Sequence, residues 1–141
     1  MGDDKPNLVP VVGDCYESSF KNGRELELMK FAVERNEADA KEFAGLYERF
    51  GLSNDVVIVH GWVSSPGGPD PKKRFHHAWI EVGDYAFETQ GGTRKQVPKK
   101  EYYEVFRAFP NQRYSIQDAA ALIERDKRFH AWRGKGTDEQ C

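Results

Sequence analysis

Cysteine is scarce in this chain: two in 141 residues, Cys15 and Cys141. That excludes a disulfide-stapled scaffold, and with Cys141 on a polar end the reading is a free thiol at Cys15 rather than a structural disulfide. Long apolar runs are missing. None approaches the ~20 residues needed to span a bilayer, and the first six residues, Met-Gly-Asp-Asp-Lys-Pro, carry no apolar leader segment. The expectation is a soluble, cytoplasmic protein with no membrane partner. An excess of charge of either sign is missing too: the net charge is −2, with acids and bases interspersed. That speaks against a nucleic-acid partner, whose footprint is a strongly basic face. Gly67-Gly68 and Gly91-Gly92 lack a phosphate-loop context, and His60, Asp70, His76 and His77 match no zinc spacing, so no cofactor and no metal are expected. Repeats, low-complexity tracts and linkers are absent, which leaves a single domain.

Aromatic residues are plentiful, with nine Phe, six Tyr and three Trp, enough for a real core in one domain of this length. Residues 1–13 read as an extended lead-in. Asp14 with Glu17 three positions on forms a capping-box pattern and starts a helix with Cys15 as its first helical residue. The helix dipole and free N–H groups there favour a thiolate. Asn22-Gly23 is expected to break or kink this helix. Helical spacing resumes from Arg24 and runs to Phe50, as one helix or two split near Asn36, with Gly51 past its end.

Residues 56–63 form a continuous apolar strand of the kind buried on both faces. A Pro/Gly-rich loop, 64–74, comes after it and is placed to line a cleft. Pro98 opens a short helix, Lys99 to Phe106, with Tyr102, Tyr103 and Phe106 as its apolar side. Ser115 caps a last helix, Phe129 and Trp132 anchor the segment beyond that helix, and 134–141 is a flexible tail. The expected fold class is α+β: helices first, then a small, mostly antiparallel sheet on 55–64, 73–82 and 85–90, all within a domain spanning 14–133.

The chemistry centres on residues 75–90. Two strand-forming runs flank Gly83-Asp84, a hairpin turn, which sets Val82 opposite Tyr85 and His77 opposite Gln90. Alternation then places Ala78, Ile80, Val82, Tyr85, Phe87 and Thr89 on a core face. His77, Trp79, Glu81, Ala86, Glu88 and Gln90 share the other, polar face, with His77 and Glu88 as diagonal neighbours. A histidine beside a carboxylate is half of a nucleophile-activating arrangement, and Cys15 is the candidate nucleophile. The Cys-bearing helix should therefore set its N-terminus against the face of His77. His76 should face the core, as the second choice of base.

These residues carry a resemblance. Cys15 at a helix start, the strand His77-Ala78-Trp79-Ile80-Glu81-Val82, and an acid followed by Thr89 one strand on resemble the transglutaminase-like and papain-like cysteine enzymes. Asp-Cys-Tyr-Glu and His-Gly also resemble small bacterial and phage proteins. The resemblance implies a papain-like core with Cys15 as nucleophile, His77 as general base and Glu88 as orienting residue. Three departures stand out. Glu88 stands where those families have Asp, Gln90 rather than Pro-Thr ends the motif, and no Trp follows Cys15. Gln90 is a rival orienter. Gln90, Tyr16 and Asn7 are candidate oxyanion donors beside the Cys15 N–H.

The expected function is a thiol-dependent hydrolase or acyltransferase on amide or ester bonds, with a peptide or protein substrate. The alternative is a catalytically inactive member of the fold, acting as a protein-binding or inhibitor module. A third reading is a metal-dependent hydrolase using His76 and His77. The sequence assigns no oligomeric state.

Overall fold

The computed structural model describes residues 14–38, 40–64, 74–89 and 93–129. The expected lead-in and tail, the interior of loop 64–74, and Asn7, Gln90 and Trp132 lie outside the described residues. So does the side chain of Asp14, the expected cap.

In order, the described elements are α1 (Asp14–Glu34), α2 (Ala40–Arg49), β1 (Val56–Val63), β2 (Phe75–Val82), β3 (Tyr85–Glu88), β4 (Lys95–Pro98), α3 (Lys99–Phe106), β5 (Phe109–Ser115) and α4 (Ile116–Asp126). The class is α+β, as expected. The strands form one sheet in the order β4-β3-β2-β1-β5, and each neighbouring pair is antiparallel.

Gly23 does not break α1, which is continuous from Asp14 to Glu34. A Cβ on Gly23 would lie 2.9 Å from Ile116 Cδ1 and 3.6 Å from Ile58 Cγ1, so the bare backbone lets α1 settle onto α4 and β1. Asn22 adds support. Its amide donates to the Ser18 carbonyl at 2.9 Å, and its oxygen accepts from Arg94 Nε at 2.9 Å. Such contacts outweigh the ~1 kcal/mol that glycine costs inside a helix. The split near Asn36 is real: Asn36 takes a left-handed φ of 53° between α1 and α2. Past α2, Gly51 has φ 70° and Leu52 N–H donates to the Tyr47 carbonyl at 2.9 Å, the backbone form that ends helices at glycine. Lys30 then ties α1 to the segment before β1, donating to the Leu52 and Asn54 carbonyls at 2.8 and 3.3 Å.

β1 is an interior strand, between β2 and β5, and is buried along most of both faces, as its apolar run required. Facing α1 and α4 lies one core, with Leu26, Leu52, Ile58, Ile80, Val82, Phe87 and Ile116. Facing α3 lies a second, with Val59, Val63, Trp79, Ala86 and Tyr102. The face read from sequence as polar is therefore a buried one. The reason is α3, which is fastened at both ends. Lys99 N–H donates to the Asp84 carbonyl of the hairpin turn at 2.7 Å, and Ser64 N–H at the end of β1 donates to the Phe106 carbonyl at 2.7 Å.

The hairpin register matches expectation, with Val82 opposite Tyr85 and Ile80 opposite Phe87; Gly83 supplies φ 57° in the turn. Two edge strands, β4 and β5, were not expected. Each contains a proline, which an edge tolerates because only one side of the strand must donate. β5 runs along β1 with a bulge between His60 and Gly61. There a Cβ on Gly61 would sit 2.4 Å from the Phe109 carbonyl oxygen.

Candidate active site

His77 is buried, at 4% of its full exposure, on the α3 side of β2. Its Nε2 lies 3.0 Å from each oxygen of Glu88 on β3. A carboxylate only accepts, so Nε2 carries the proton and Nδ1 carries the lone pair. That Nδ1 is buried and makes no hydrogen bond, which leaves a basic nitrogen aimed away from its acid. The diagonal pairing expected of His77 and Glu88 is thus present, and the longer Glu side chain does reach.

Glu88 has a second partner that sequence reasoning missed. The hydroxyl of Tyr102 on α3 donates to Glu88 Oε1 at 2.8 Å. Next to it, the Tyr103 hydroxyl donates to Glu81, which also accepts from Trp79 Nε1 at 3.0 Å and from Arg113 at 3.3 Å. Burial, then the Glu88 charge and hydrogen bond, push the Tyr102 phenol well above its usual range. Tyr103 is raised by burial and by Glu81. Both stay protonated donors at ordinary pH. A signal for them existed: two acids on one buried face need donors, and Tyr102-Tyr103 is the only tandem of phenols in the sequence.

Cys15 and Tyr16 begin α1 on the opposite side of β2. Both are buried and pack with Ala78. The Tyr16 hydroxyl, a candidate oxyanion donor, is hydrogen-bonded to His76 Nδ1 at 2.5 Å. Tyr16 and His60 rings meet at 5.0 Å, His60 and Tyr114 at 5.0 Å, and Trp62 and His76 at 4.9 Å. Further along, Ser18 and Thr89 hydroxyls lie 3.2 Å apart.

Two expectations change. The start of α1 sits against the face of His76 and Ala78, not that of His77, because α3 already occupies the other face. Cys15 is not a free thiol either: its sulfur is disulfide-bonded. The one other cysteine of the chain, Cys141, lies outside the described residues. The reading of His76 and His77 as joint metal ligands also fails on geometry, since consecutive strand residues project to opposite faces. His76 does face the core, as expected.

No family model, curated protein or solved structure matches the chain. Among the described residues, no three His, Cys, Asp or Glu side chains are grouped to hold a metal ion, and no helix is long and apolar enough to cross a membrane.

Proposed function

We propose that this protein is a thiol-dependent hydrolase or acyltransferase acting on an amide or ester bond of a peptide or protein, within the transglutaminase-like and papain-like group its motifs resemble. One observation carries the reading. His77 is held through Nε2 by both oxygens of Glu88 while its buried Nδ1 has no hydrogen-bond partner. That is the state a general base needs: tautomer fixed, lone pair unspent.

In this reading Cys15 is the nucleophile after reduction. A dithiol reductant supplies two electrons, two protons convert the disulfide to two thiols, and the reductant leaves as its own disulfide. In this reading reduction also frees the start of α1 from the Ala78 side of β2, where it now packs, so that Cys15 reaches His77 Nδ1, gives up its proton there, and its sulfur attacks the substrate carbonyl. The imidazolium, steadied by Glu88, returns the proton to the departing amine or alcohol. Water or a second amine releases the acyl group, with His77 again accepting and returning a proton.

A specific observation favours a second reading, a binding module without catalysis. Cys15 is disulfide-bonded and packs on the side of β2 away from His77. The pH dependence of iodoacetamide alkylation of the reduced protein, read by mass spectrometry, separates the two. Cys15 should react well below the ~8.5 of an ordinary thiol and lose that reactivity in His77→Ala, with Cys141 as internal reference. A Cys15 that tracks Cys141 with or without His77 defeats the enzyme reading in favour of the binding module.

A further inference from the structure

The glutamate that orients His77 carries a mechanical problem. It has one more methylene than the aspartate of the families it resembles, hence one more rotor to hold still. A carboxylate that swings does not keep both oxygens at 3.0 Å from Nε2. The fold answers this from α3. Tyr102 is 1% exposed, and its ring is wedged between Trp79, with centroids 5.5 Å apart, and Phe106 at 4.6 Å. The helix that carries it is fastened to the hairpin turn at its start and to the end of β1 at its finish. The phenol therefore arrives at Glu88 Oε1, 2.8 Å away, from a support that cannot drift independently of the hairpin.

We propose that Tyr102 is a positioning residue for the base: its hydroxyl fixes the Glu88 carboxylate in the pose that locks the tautomer of His77. The proposal rests on the assignment of His77 as general base. Burial and the Glu88 charge hold the Tyr102 phenol well above its usual range, so it remains a donor at ordinary pH. Glu81 cannot take over the task, because its oxygens are held by Trp79, Tyr103 and Arg113. Tyr103 supplies an internal control. It is the next residue of the same helix and gives the same hydrogen bond to the buried Glu81, which touches no histidine among the contacts described.

The test is the tautomer of His77, read from ¹⁵N imidazole shifts in the folded protein. It is measured in Tyr102→Phe, Tyr103→Phe and Glu88→Gln. Glu88→Gln and Tyr102→Phe should raise the ratio of the Nδ1–H to the Nε2–H form about tenfold, the scale of one charge-assisted hydrogen bond. Tyr103→Phe should leave it unchanged. A merely structural tyrosine would not move this signature. If Glu88→Gln shifts the tautomer and Tyr102→Phe does not, the positioning role is overturned while the base assignment stands. If neither moves it, the base assignment falls and the positioning role with it. An equal shift in Tyr103→Phe overturns the proposal as a general loosening of α3. Tyr102→Met, which fills similar space without a donor, is read in the same way if the phenylalanine variant does not fold.

Discussion

The two faces of the sheet bury polar groups by different means. Toward α1, polar side chains meet mostly as rings: His60, His76, Tyr16, Trp62 and Tyr114 meet tilted or edge-on, and Tyr16 adds a hydrogen bond to His76. Toward α3 lie two carboxylates, Glu81 buried and Glu88 half-buried, each met by a phenol and a further donor. Buried charge is tolerated only where donors are supplied, and α3 supplies them. The contrast teaches where chemistry is divided in this molecule. The His77–Glu88 pair and its phenol donor lie on one face, and the candidate nucleophile lies on the other with His60 and His76, over the residue next to His77.

The strongest way to break this arrangement is at Gly61, where β1 separates the faces. A methyl there meets the Phe109 carbonyl oxygen at 2.4 Å and the Pro110 Cα at 2.9 Å. Because both are backbone, Gly61→Ala should destabilise by about 4 kcal/mol in chemical denaturation. A loss under ~1 kcal/mol would mean that the β1–β5 bulge adapts.

Histidine substitution puts the division itself to the test. In the reduced protein at neutral pH, His77→Ala should slow Cys15 alkylation by about 10²-fold, the low end of general-base contributions, while His76→Ala changes it only a few-fold. The reverse order would move the base onto Cys15's own face.

A smaller effect sharpens the account of the α3 side. Trp79→Phe removes one donor to the buried Glu81 and should cost about 2 kcal/mol. Ser18→Ala, removing one hydroxyl contact on the α1 side, should cost about 1 kcal/mol or less, both variants being read by chemical denaturation.

Alkali gives the mildest probe. Tyr102 and Tyr103 have phenols raised in the folded state by burial and by Glu88 and Glu81 respectively. The folded state therefore keeps protons that the unfolded chain sheds above its ordinary phenol pKa of ~10, and stability should fall as pH rises beyond that point. An absorbance titration should show these two ionising last, on unfolding. Early ionisation of all six tyrosines would mean that α3 does not cover its face.

Much of this was legible in the chain. The Gly83-Asp84 turn forced one register, and period-2 alternation then put His77 beside Glu88 without further help. Pro98 and Ser115 marked helix starts, and Ser115 does accept from Asp118 N–H at 3.0 Å. What escaped was decided by partners distant in sequence. Gly23 reads as a breaker unless Ile116 is known to lie against it. Lys95–Pro98 and Phe109–Ser115 are polar and contain proline, because an edge strand buries little and pairs on one side only. Alternation also says that two faces differ without saying what covers each. The site was therefore half legible: the His77–Glu88 pair came from register, whereas the side taken by Cys15 depended on where α3 docks.

The place of β1 has a consequence for how the chain is made. Its two neighbours arrive at very different times. β2 emerges after one loop, but Val57 must wait for Ser115 and Trp62 for Phe109. During synthesis one rim of the most apolar strand therefore stands open until β2, β3, β4 and helix α3 have emerged. An open rim of that composition recruits like segments from neighbouring nascent chains. The modest, polar fifth strand is thus the molecule's own stopper, and the yield of soluble protein should depend on how promptly it is delivered.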